Sequence, residues 1–161
     1  MIKRILLIAA CLFFMNTVAY GANESITQIG YAIKNSDGVT MARIVKFTIV
    51  CDDGAAAMTH TPISTILTAY IRGWYLDQVL VNPGATKPTA DSDIYLNNAD
   101  GLDILGGNGV DLLDDEDTTA CVPSTDGQNK QQLIHGVLTL DMDNNAVNAA
   151  LFTVTLIFVQ P

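Results

Sequence analysis

The most regular stretch of the chain is its last. Phe152, Val154, Leu156 and Phe158 occupy alternate positions, with Leu151, Thr153, Thr155, Ile157 and Val159 between them. Successive side chains of an extended chain point to opposite faces, so this pattern predicts a strand with one face wholly in a core. Burying those four side chains would contribute about 1.5–3 kcal/mol each before the entropy of ordering the chain is subtracted. Weaker alternation recurs upstream. Ile29, Tyr31 and Ile33 share one face of a first strand, and Asn35-Ser36-Asp37-Gly38 supplies a hairpin turn. Residues 40–51 then return as a strand that sets Arg43, Lys46 and Thr48 among apolar neighbours, and Asp52-Asp53-Gly54 stops it.

A strand over 71–81 would place Trp74, Leu76 and Leu80 on one face and Tyr75, Val79 and Val81 on the other, ending at the turn Asn82-Pro83-Gly84. Trp74 and Tyr75, being adjacent, would point to opposite faces. Short strands follow at 93–97 and 119–122. Residues 133–142 read as one strand with Ile134, Leu138, Leu140 and Met142 together. Two stretches are less regular. Residues 55–69 begin as a helix might, but Pro62 and the β-branched Thr61, Ile63, Thr65, Ile66 and Thr68 favour a loop and a short strand. Residues 106–132, rich in Gly, Asp, Thr and Asn, read as a long surface excursion. The sum is an all-β chain: one antiparallel β-sandwich, jelly-roll-like or immunoglobulin-like, of about seven or eight strands. Helical patterns between strands, which βαβ units require, do not appear.

The first residues carry a different pattern. Lys3 and Arg4 precede an apolar run over 5–15, and Ala19-Tyr20-Gly21 offers small residues where a signal peptidase reads. Residues 1–21 are therefore expected to form a signal helix cut near Gly21–Ala22, leaving 22–161 as a single domain. The apolar run is shorter than the ~20 residues that span a bilayer, so no membrane association is expected after the signal is removed. An exported protein follows, extracellular, periplasmic or carried on a virion. Without Lys3 and Arg4, six Lys and Arg face seventeen Asp and Glu, a net charge of −11. Such a chain has no electrostatic hold on nucleic acid or on anionic membrane surfaces. Cys51 and Cys121 are the two cysteines left, and in an exported chain they are candidates for one disulfide; two buried free thiols are the alternative.

A set of motifs adds a family resemblance. Gly73-Trp74-Tyr75-Leu76, Asn82-Pro83-Gly84-Ala85-Thr86-Lys87-Pro88-Thr89 and Asp93-Ile94-Tyr95-Leu96 come first. Ala99-Asp100-Gly101-Leu102-Asp103-Ile104-Leu105-Gly106-Gly107 and Gly136-Val137-Leu138-Thr139-Leu140 follow. Together they resemble a poorly characterised family of small structural proteins of tailed-bacteriophage virions. The resemblance implies a β-rich particle component without enzymatic activity, and carries no catalytic or ligand residues.

Candidate chemistry is sparse. Asp111, Asp114, Asp115, Glu116 and Asp117 are the densest carboxylate cluster, a donor set that suits Ca²⁺, with Asp91, Asp93, Asp100 and Asp103 as further ligands if loops converge. EF-hand spacing is absent, so a solvated acidic loop is the alternative. Residues 106–113 match one calcium-binding nonapeptide, but such sites need tandem copies. His60 and His135 show no zinc spacing, there is no Cys-x-x-Cys, and no Gly-x-Ser-x-Gly nucleophile motif is present. Paired carboxylates for glycoside hydrolysis would need a cleft. The leading expectation is a non-enzymatic subunit that packs with copies of itself or decorates a virion or cell surface, using Phe152, Val154, Leu156 and Phe158 as an assembly strand. The other is a secreted module that binds a surface glycan or protein, with calcium as a stabiliser.

Overall fold

The chain is seen in a computed structural model that describes residues 14–20, 24–52, 58 and 60–160. In order these form β1 (Phe14–Tyr20), β2 (Glu24–Lys34), β3 (Thr40–Val50), β4 (Thr61–Pro62), α1 (Thr65–Ile71), β5 (Tyr75–Pro83) and β6 (Asp93–Asn97). There follow β7 (Thr119–Cys121), β8 (Ser124–Thr125), β9 (Gln128–Asn129), β10 (Gln132–Leu133), β11 (Thr139–Asp143) and β12 (Leu151–Val159). The architecture is an all-β sandwich of antiparallel strands. A large sheet runs β1-β2-β3-β12-β5-β10, with β7 also on β5, and faces a small sheet ordered β4-β11-β6.

One continuous core joins the layers. Phe47, Ile49, Leu76, Val81, Phe152, Val154, Leu156 and Phe158 from the large sheet meet Ile94, Leu96 and Leu140 from the small one, with Leu67 and Ile71 of α1. The 35–38 turn forms as the sequence requires: the Asn35 side chain accepts the backbone N–H groups of Asp37 and Val39, and Gly38 takes φ +80°.

Several expectations are corrected. Residues 65–71 are helical, not extended. Ser64 caps the helix by accepting the Leu67 N–H at 3.4 Å, and Leu67, Thr68 and Ile71 are buried on one face. Burial thus overrides the β-branched propensity. Gly30 makes room beneath: a Cβ there would lie 2.4 Å from Leu67 Cδ2. The strand expected over 71–81 starts at Tyr75 and carries a bulge opposite Ile157 and Phe158. That bulge turns Leu76, Val79 and Val81 all to the core, where plain alternation would separate Leu76 from the other two. The strand expected over 133–142 is two strands, because the chain crosses from the large sheet to the small one between β10 and β11. The 106–132 excursion is anchored by Leu112 and Leu113, both in the core. Of the expected signal helix, residues 14–20 are instead a strand paired along β2, while residues 1–13 and the cut near Gly21–Ala22 lie outside the described residues.

Candidate functional site

Pairing of β11 with β6 sets Asp141 opposite Tyr95, in a surface cleft of about 430 Å³ that Met58, His60, Asn97, Met142 and Asp143 also line. Asp141 is buried, and each of its oxygens has a partner. One bonds His60 Nδ1; the other accepts the Asn97 amide at 2.8 Å. The His60 side chain is 82 % exposed, so the imidazole meets the buried carboxylate from the solvent side. Tyr95 Oη donates to Asp93 at 3.3 Å, and desolvation followed by the Asp93 charge raises its hydroxyl above the usual range. This fixes one imidazole in the lining of the cleft. Local spacing carried no signal for it, because His60 and Asp141 are 81 residues apart.

A second groove, of about 530 Å³, lies between residues 98–104 and 132–138. Leu133 and Val137 line it with 36 % and 41 % of their surface exposed, beside His135, Asp100 and Asn98.

The acidic stretch is not gathered into a calcium site. Asp114 Oδ1 accepts the backbone N–H groups of Glu116 (2.6 Å) and Asp117 (2.8 Å), which holds its carboxyl below the usual range. Glu116 pairs with Lys87 at 3.3 Å in solvent. The Asp111 N–H donates to Asp93, whose other oxygen is bonded by Asn144 at 2.5 Å. Asp103 accepts N–H groups from Leu96, Leu105 and Gly107, and so ties down the start of the nonapeptide-like stretch. Among the described residues no three His, Cys, Asp or Glu side chains converge on a point that would hold a metal ion. These carboxylates order loops.

The disulfide expectation is likewise corrected: Cys51 and Cys121 are both free. Cys51 follows β3 and Cys121 ends β7, with β12 and β5 between those strands. Three interstrand steps of about 4.8 Å already exceed the ~7 Å Cα separation that a disulfide tolerates. The proposed assembly strand is also displaced. β12 is hydrogen-bonded along β3 on one side and β5 on the other, and Phe152, Val154, Leu156 and Phe158 are fully buried. It has no side left to offer.

Exposed apolar surface gathers elsewhere. Tyr31 (36 %), Ile33 (47 %), Val39 (50 %) and Met41 (56 %) all stand on the β2–β3 hairpin. Among the described residues no helix is long and apolar enough to cross a membrane. No protein-family model, curated protein or solved structure matches this chain.

Proposed function

We propose that this protein is a non-enzymatic assembly subunit, exported from the cell, that packs with copies of itself or decorates a virion or cell surface. The observation that carries the reading is the β2–β3 hairpin, where Tyr31, Ile33, Val39 and Met41 leave large apolar side chains in water on an otherwise acidic chain. Large apolar side chains left exposed close together in the sequence, as on this hairpin, are candidates for protein contact. The motif resemblance to tailed-phage structural proteins supports the same reading. Light scattering and electron microscopy of residues 22–161 test it. Particles of two or more copies, or retention on virions or cells, are the expected result, and a single-copy species without such affinity at high concentration overturns it.

A second reading, a secreted binding module, is favoured by the groove lined by Leu133, Val137 and His135. Glycan or peptide binding abolished by Val137→Asp, with assembly unchanged, would select it.

A further inference from the structure

We infer that cleavage after Gly21 turns β2 into a self-pairing edge, and that its partner is β2 of a second copy of this chain. The inference rests on the assembly reading above and names the partner and the contact. The step itself is hydrolysis of the Gly21–Ala22 peptide bond by an export peptidase: the C–N bond breaks, the oxygen of water joins the Gly21 carbonyl carbon as the new carboxylate, and a proton goes to the Ala22 nitrogen as the new amine.

In the uncut chain β1 covers the outer edge of β2 in antiparallel register, from Phe14 opposite Gly30 to Tyr20 opposite Glu24. That edge is therefore shaped to take an antiparallel strand. All of β1 lies N-terminal to the cut, whereas the buried core runs from Ile26 to Phe158 and stays with the mature chain. Cleavage removes the cover and keeps these core residues together in one chain.

Sheet edges that remain solitary are blunted by proline, lysine or a bulge. Residues 24–33 contain no proline and no lysine, and the bulge against β3 comes only at Ile33 and Lys34. Toward the other end of the sheet β5 is covered by β7 and β10, so the uncapped length is at β2.

The sequence of β2 suits pairing with itself. Full overlap of two antiparallel copies of Glu24–Lys34 places a twofold axis at Ile29 and sets Glu24 of each copy opposite Lys34 of the other. Opposite charges thus meet at both ends. This register pairs odd positions with odd, so Ile26, Gln28 and Gly30 face the inner layer in both copies while Ile29, Tyr31 and Ile33 face outward. Tyr31 and Ile33, exposed in one copy, gain a neighbouring strand. A twofold contact closes on itself, giving a dimer and not an open fibre.

The test uses the full chain with a specific protease site placed between residues 21 and 22, followed by sedimentation before and after cleavage. One copy before cutting and two copies after, with the β-sheet dichroism retained, is expected. Ile29→Cys should then give a disulfide-linked dimer that the parent chain does not form, since residues facing each other across a twofold lie about 4.5–5.5 Å apart. Ile29→Lys, which sets two ammonium groups opposite each other, should hold the cut chain at one copy. A cut chain that stays single overturns both this inference and self-assembly. Association that occurs equally before cutting, survives Ile29→Lys or gives no Ile29→Cys crosslink overturns the β2 edge alone. Loss of the sheet signal on cutting also overturns it.

Discussion

Gln28 and Ser64 lie 36 residues apart, and the Gln28 carboxamide oxygen accepts the Ser64 backbone N–H at 2.9 Å. Its amide donates to the Pro62 carbonyl, also at 2.9 Å. One buried side chain thus joins β2 to both sides of the bend that leads into α1. Gln28→Leu keeps the volume and leaves the Ser64 N–H without this acceptor. The expected cost is roughly 2–4 kcal/mol in urea unfolding, more than the ~0.5 kcal/mol of an ordinary surface change.

Arg43 sits between two rings, its guanidinium carbon 4.5 Å from the Tyr70 centroid and 4.3 Å from that of Trp74. Its Nη1 also donates to the Tyr70 carbonyl. A lysine cannot stack as a plane, so Arg43→Lys should cost about 1 kcal/mol, and Trp74→Ala about 3–5 kcal/mol. Chemical denaturation followed by dichroism measures both.

Gly109 is crossed by the backbone of β6: an added Cβ would fall 1.8 Å from the Ile94 carbonyl oxygen, whereas at Gly136 nothing lies within 4 Å. Gly109→Ala should lower stability by about 3 kcal/mol or more and Gly136→Ala by under ~1 kcal/mol. Equal melting midpoints for the two variants would refute the close approach.

Both thiols resist ionisation. Burial, then the Glu24 charge, pushes Cys51 from an ordinary 9.0 up to about 12, and burial, then the Asp103 charge, pushes Cys121 up to about 11. Below pH 9 both are neutral folded or unfolded. Above it the unfolded chain loses these protons first, so the folded state binds more protons and stability falls as pH rises. The loss runs to about pH 11 for Cys121 and about 12 for Cys51. Denaturation midpoints at pH 8 and pH 10 should separate further in the parent chain than in a Cys51→Ala, Cys121→Ala double variant.

Calcium should not stabilise the fold. Asp114 already spends an oxygen on two backbone N–H groups, and Glu116 faces Lys87. Thermal midpoints in millimolar calcium and in chelator should coincide, because only a ligand bound to the native state raises the midpoint.

Local chemistry determined a large part of this molecule. The turn at 35–38, the strand at 93–97 and the buried face Phe152, Val154, Leu156 and Phe158 follow from side-chain alternation and from residues that accept turn dihedrals, information that resides within a few neighbours. Tertiary structure alone decided which strands became neighbours. It placed β12 between β3 and β5, denying it the free edge that its apolarity implied, and it set Cys51 and Cys121 three strands apart. It also folded 65–71 into a helix over Gly30 and brought His60 to Asp141 from 81 residues away. Alternation tells a residue which face it belongs to; the identity of its neighbour depends on loop closure and on packing of the whole core, which no short window of sequence contains.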